Sequence, residues 1–181
     1  MTLSNIAWWM VKVGIFYYIT KKVFQKVVEV IVNKFLYQPN SPSVELKFPE
    51  NNPLGFRNPS EQDLEYDDIE IITKDKVKLC GWFIYHSNPK DYPTIIFFHG
   101  NAGNIGNRLA NMKILFEESK ANIVIVGYRG YGHSQGSPSE SGLQLDSEAV
   151  LDWTLSCSNI DPSRIFVFGR SMGGAVSIYL C

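Results

Sequence analysis

The chain has 181 residues, 45% hydrophobic and 19% charged, with a net charge of −1. That composition fits a globular domain with a real core; it excludes a disordered chain and gives a nucleic-acid binder no basic excess to work with. The charge is uneven: residues 1–40 carry +4 and the remainder −5, so the basic end is also the greasy end.

Residues 6–19 form an apolar run broken only by Lys12 and closed by Thr20-Lys21-Lys22. As a helix it measures about 21 Å, short of the roughly 30 Å hydrocarbon core, and counting from Leu3 to Thr20 brings it nearer a full span. Each large apolar residue adds roughly −0.3 to −0.6 kcal/mol to insertion, and a central lysine costs about +2.5 to +3.5 kcal/mol, so the balance is marginal. The interfacial aromatics Trp8-Trp9 and Tyr17-Tyr18, with no small-x-small site after them, argue against a cleaved signal peptide. Val23, Phe24, Val27, Val28, Ile31, Phe35 and Leu36 fall near one face of a second, amphipathic helix. Residues 1–37 are expected to be a membrane anchor, spanning or interfacial, with an ordinary core helix as the alternative for 23–36. Lys21 and Lys22 on its C-terminal flank favour a cytoplasmic domain.

Residues 38–63 hold Pro39, Pro42, Pro49, Pro53 and Pro59, five of the nine prolines, and read as an ordered or semi-extended connector. A domain over 64–181 follows. Tyr66 to Thr73 and Val77 to His86 read as a hairpin turned at Lys74-Asp75-Lys76. Thr94 to His99 is a continuous apolar run, expected of a parallel strand buried on both faces. Leu109, Met112, Leu115 and Phe116 mark a helix face, and Asn122 to Val126 the next strand. Ser137-Pro138-Ser139-Glu140 has the form of a capping box with proline at the first helical position, opening a helix whose inner face is Leu145, Ala149, Val150 and Trp153. Asp161-Pro162 turns the chain into Ile165-Phe166-Val167-Phe168. Strands alternating with helices predict an α/β fold with a doubly wound, mostly parallel sheet behind an antiparallel hairpin.

That last strand breaks into Gly169-Arg170-Ser171-Met172-Gly173 and continues as a helix, the pattern of a nucleophile elbow. A serine hydroxyl attacks well only when held clear of the sheet, so Ser171 is expected in a strained turn, with Gly169 and Gly173 leaving room for it. The Met172 N–H, at the helix start, is then one oxyanion donor. His99-Gly100-Asn101-Ala102-Gly103-Asn104-Ile105-Gly106, after a buried strand, is placed to give the second, with Asn101 the candidate and Ala102 next; the alternative is a Gly/Asn-rich turn without chemistry. No Gly-Lys-Ser/Thr follows these glycines, so a phosphate-binding loop is excluded. Gly130-Tyr131-Gly132 lacks the helix start of a dinucleotide fingerprint. His86, His99 and His133 lie too far apart to suggest a metal site, and Cys80, Cys157 and Cys181 show neither a disulfide framework nor zinc spacing. No cofactor and no metal are expected.

These two motifs, with Tyr128-Arg129-Gly130-Tyr131-Gly132-His133-Ser134 and Leu145-Asp146-Ser147-Glu148-Ala149-Val150-Leu151-Asp152, resemble the α/β-hydrolases, and among them the membrane-anchored group typified by α/β-hydrolase domain-containing protein thirteen. The resemblance runs from about Phe35 to Cys181. It implies a serine hydrolase of esters or thioesters with a Ser-Asp-His triad and a single-pass anchor, usually type II, which conflicts with the orientation that Lys21 and Lys22 favour. Gly127 stands where an Asp is common in that group. The chain ends at Cys181, ten residues after Ser171, and the fold's order is Ser, then Asp, then His. No triad acid or base is therefore assigned. The expectation is a hydrolase domain truncated after the elbow and inactive alone, and the alternative a non-catalytic, membrane-tethered interaction module.

Overall fold

A computed structural model describes the backbone of residues 3–181 and the side chains of residues 8–181. Met1 and Thr2, at the head of the expected anchor, lie outside the described residues, as do the side chains of Ile6 and Ala7. The chain divides into two units, one ending at Leu36 and the other Tyr37–Cys181.

The first unit is one helix, α1 (Leu3–Leu36), where the sequence predicts two segments. No proline interrupts it and Gly14 alone does not break it, so the turn at Thr20-Lys21-Lys22 stays helical, Thr20 Oγ1 bonding back to Phe16 O and Tyr17 O at 3.0 and 2.9 Å. Trp8, Trp9, Phe16, Tyr17 and Phe24 are exposed along it. The expectation of a spanning anchor is corrected here: no helix among the described residues is long and apolar enough to cross a membrane. The reason is spacing, since Lys12, Lys21, Lys22 and Lys26 interrupt each apolar stretch before it reaches bilayer length.

The second unit is a sheet of five strands, β1 (Tyr66–Ile72), β2 (Lys78–Ile84), β3 (Thr94–Phe98), β4 (Asn122–Val126) and β5 (Ile165–Gly169), in the order β1-β2-β4-β3-β5. β1 and β2 are antiparallel to each other, and so are β2 and β4; β4, β3 and β5 run parallel. The helices are α2 (Leu109–Ser119), α3 (Glu140–Ser156) and α4 (Met172–Leu180). Side chains alternate across a strand, so each central strand feeds two cores. Ile96, Phe98, Val124 and Val126 pack with Leu143 and Val150 of α3 and Val176 of α4, whereas Phe97, Ile123 and Ile125 pack with Leu109 and Met112 of α2. Both faces are covered, which is why β3 and β4 read as unbroken apolar runs.

One local expectation shifts. The N-cap of α3 is Ser139, whose hydroxyl accepts from Gly142 N at 3.1 Å, rather than Ser137. Pro138 is held outside the helix against Gly130, where a Cβ would lie 2.8 Å from the proline ring. The Pro-rich segment packs on the unit as well: Pro49, Asn52 and Pro59 are buried, and two short 3-10 turns (Pro49–Asn51 and Pro59–Gln62) order it.

α4 lies unusually close to the sheet. A Cβ on Gly173 would stand 2.0 Å from Phe98 O, while one on Gly174 meets only Gly169 O at 3.7 Å. Because backbone cannot yield, Gly173→Ala is expected to cost about 3 kcal/mol or more in urea unfolding, and Gly174→Ala to be neutral or stabilising by about 0.5–1 kcal/mol from helix propensity; equal effects would refute the close approach. β5 pairs with β3 on one side, no strand among the described residues meets its other edge, and Phe166 is 58% exposed. An open apolar edge is a template for association. Phe166→Lys should reduce self-association in sedimentation velocity and move stability by no more than about 0.5 kcal/mol.

Candidate active site

The strand order brings two loops together. The chain leaves β3 toward α2 on one face of the sheet and leaves β5 toward α4 on the other, so the carboxyl ends of these adjacent strands open a crevice between diverging connections. The loop after β3 meets the turn after β5 there, Gly100 lying beside Arg170 and Ser171.

Ser171 sits at the junction of β5 and α4 with φ 54° and ψ −120°, a conformation a non-glycine residue adopts at a cost of about 1–3 kcal/mol. Gly169 permits the turn, since a Cβ there would lie 2.1 Å from Gly173 O. The turn is pinned by Arg170 N donating to Phe98 O at 3.1 Å, Gly173 N to Arg170 O at 2.9 Å and Gly174 N to Ser171 O at 2.8 Å. A serine before a helix ordinarily spends its hydroxyl on capping. Ser171 makes no such bond, and its side chain is exposed. Met172 is the first residue of α4, so its N–H has no acceptor inside the helix.

The loop after β3 faces this turn: a Cβ built on Gly100 would lie 3.8 Å from Ser171 Cβ and 3.6 Å from Arg170 O. Asn101 is held by its carbonyl, which accepts from Gln38 N at 3.1 Å and from Tyr131 OH at 2.9 Å. Tyr128 OH donates to His99 O at 3.0 Å, and Arg108 Nη2 donates to Ala102 O. Asn104 caps the 3-10 turn Ile105–Arg108 and exchanges side-chain hydrogen bonds with the buried Asn52 at 2.9 and 3.0 Å. Tyr128, Tyr131, Gln38 and Asn52 are positioning residues that sequence patterning did not assign. Their signal was weak: the two tyrosines lie in Tyr-Arg-Gly-Tyr-Gly, but Gln38 and Asn52 sit in a segment that reads only as Pro-rich.

No histidine bonds Ser171 among the described residues. His99 is fully buried, its Nδ1 2.7 Å from Gly100 O, and burial lowers its pKa to about 3. His133 Nε2 is 2.9 Å from Glu50 Oε2, and His86 stacks between Tyr92 and Phe116. The aspartates are also engaged elsewhere. Asp146 is fully buried, and accepts from Arg129 N and Nε at 2.8 Å each. Arg129 Nη1 reaches Asp75 at 2.8 Å and holds that carboxyl well below the usual range. Burial instead pushes Asp146 up to about 6. Asp161 caps the turn before β5 through Ser163 N at 3.0 Å.

A cavity of about 720 Å³ lies away from Ser171, lined by residues that include Glu50, Arg57, Asp68, Glu70, Trp82 and His133. Its charged groups are largely paired with each other, Arg57 with Glu61 and Lys78 with Glu70 at 2.6 Å each.

Comparison with known proteins agrees with this architecture. Residues 93–181 match the family model described as the alpha/beta hydrolase fold. Protein bem46 of Schizosaccharomyces pombe is 40% identical over 134 residues, 74% of this chain and 45% of the relative. The Alpha/beta hydrolase domain-containing protein WAV2 of Arabidopsis thaliana is 41% identical over 147 residues, 81% of this chain and 46% of the relative. An uncharacterized membrane protein of Saccharomyces cerevisiae is 35% identical over 130 residues, 70% of this chain and 45% of the relative. Among solved structures, the Pyrococcus furiosus esterase Pf2001 is 31% identical with a TM-score of 0.56, over 67% of this chain and 45% of that one. The chain spans about half the length of the curated relatives it matches. The sheet order, the serine at the strand-to-helix turn and these matches together place the chain in the α/β-hydrolase superfamily.

Proposed function

We propose that this chain supplies the nucleophile and the oxyanion donors of a serine hydrolase that cleaves esters or thioesters through an acyl-enzyme. The observation that carries this reading is Ser171, strained at φ 54° and with its hydroxyl unused by the helix it caps. A non-catalytic interaction module has no need of that strain. In the proposed step Ser171 Oγ attacks the carbonyl carbon and its proton passes to a general base. The carbonyl oxygen becomes an oxyanion, with Met172 N–H and Asn101 N–H as donors, each worth about 100- to 1000-fold in rate. Gly169 and Gly173 serve by letting the turn form. The base and its acid follow the nucleophile in this fold, and no Asp or His follows Ser171 in these residues. An elbow with an oxyanion hole alone retains on the order of 10³- to 10⁴-fold over water.

Slow labelling by a fluorophosphonate is therefore expected, with the adduct mapping to Ser171 and absent in Ser171→Ala, while turnover of a short-chain nitrophenyl ester by these 181 residues exceeds the uncatalysed rate by no more than about 10³- to 10⁴-fold. An adduct that persists in Ser171→Ala refutes the assignment.

We also propose that α1 lies in a membrane interface. Exposed Trp8, Trp9, Phe16 and Phe24 supply apolar area, and Lys12, Lys21, Lys22, Lys26 and Lys34 supply attraction to anionic lipid. Each lysine near such a surface contributes about 1 kcal/mol. Lys21→Glu with Lys22→Glu should lower binding to phosphatidylserine vesicles by at least about tenfold and leave neutral vesicles little affected, and alkaline carbonate should release the protein. Retention in carbonate pellets would overturn the interfacial mode.

A further inference from the structure

Two arginines flank the crevice, and neither has an acidic partner among the described residues. Arg170 is the residue before Ser171 and is exposed. Arg108 ends the 3-10 turn that follows the loop after β3, is half-buried, and commits Nη2 to Ala102 O in that loop. Its Nε is shielded from solvent and has no hydrogen-bond partner. The loop links the two, since Gly100 faces Arg170 O and Ser171 Cβ while Ala102 receives Arg108. The arginines also feel each other: Arg108 is lowered from its ordinary pKa first by burial and then by the charge of Arg170.

The other three arginines of the chain are ion-paired. Arg57 meets Glu61, Arg129 meets Asp75 and Asp146, Arg164 meets Asp161, and Lys78 meets Glu70. Placing two like charges together, one of them half-buried with an unspent donor, costs free energy unless an anion completes the arrangement. Arginine is suited to that task, because its planar fork binds carboxylate or phosphate oxygens two at a time.

From this geometry we infer that the substrate of the Ser171 site carries, besides the ester or thioester, an anionic oxyacid group that Arg108 and Arg170 bind. The inference rests on the proposed function for its substrate, but the anion site can be tested apart from it. A purely aliphatic acyl ester would leave both arginines without a counter-charge.

The test uses three fluorophosphonates that differ only at the far end of the chain, ending in a carboxylate, a phosphonate or a methyl ester. The faster anionic probe identifies which oxyacid is preferred. Labelling of Ser171 at low salt should favour an anionic probe by about tenfold, and about 1 M salt should bring the ratio close to one. Arg170→Met should lower the ratio to within about twofold, the neutral-probe rate reporting any damage to the turn. Arg108→Met should lower it too, and Arg108→Lys, which keeps the charge, should restore part of the preference; the neutral probe reports any damage to the loop. Equal rates in the unmodified chain, or a preference that survives Arg108→Met with Arg170→Met, overturn the inference. Phenylphosphonate supplies the independent arm, because its binding, read as a raised unfolding midpoint lost in Arg170→Met, does not need a reactive serine. Binding without labelling would sink the catalytic reading and leave the anion site standing. Labelling without preference and without phenylphosphonate binding would sink the anion site alone.

Discussion

The close approach of α4 to the sheet is the constraint on which the site depends. Phe98 O accepts from Arg170 N at 3.1 Å and lies where a Cβ on Gly173 would have to go, 2.0 Å away. The helix can therefore begin only by crossing directly over the end of β3. Holding the helix this close forces the chain to reverse within one residue, and that residue is Ser171 at φ 54°. The strain is local, about 1–3 kcal/mol, and is offset by burial of Val176 and the contact of Met172 and Leu180 with the larger core. A serine in an ordinary helical or extended conformation there would spend its hydroxyl on the helix.

The facing loop is built on a different principle. Its backbone carbonyls are held by side chains from distant segments: Tyr128 on His99, Tyr131 on Asn101, and Arg108 on Ala102. Each neutral bond contributes about 1 kcal/mol net, but leaving a buried carbonyl unpaired costs about 1–3 kcal/mol, so the set acts mainly by excluding other loop conformations. Arg129, tied to Asp146 and Asp75, fixes the segment that carries both tyrosines. A buried ion pair of this kind is weak evidence for stability, since desolvation consumes much of the attraction. Its effect here is positional.

The N-terminal helix presents the opposite situation, an element with much apolar surface and no core of its own. Among the described residues of α1, large side chains are exposed over most of its length. Lysines spaced along it keep any stretch from reaching the hydropathy of a membrane span. A long amphipathic element of this kind is suited to an interface between water and apolar material.

Period and punctuation in the sequence determined the sheet strands, α2, the elbow and the loop after β3, because strands buried on both faces must be apolar throughout and a tight strand-to-helix turn demands glycine. The turn itself, with Ser171 at φ 54° between Gly169 and Gly173, was legible for that reason. The cap of α3 was misplaced by two residues, since Ser137 and Ser139 offer the same local chemistry and only the packing of Pro138 on Gly130 distinguishes them. The apolar run and the amphipathic stretch read as separate segments, yet helix propensity carries α1 through the lysines between them. What only the tertiary structure decided is how residues far apart in sequence converge: Gln38 and Tyr131 on Asn101, Asn52 on Asn104, and Gly100 beside Ser171. Such pairings leave no periodic trace, because a hydrogen bond or a shared field depends on where the strand order brings two side chains, and local sequence carries only the preferences of each segment.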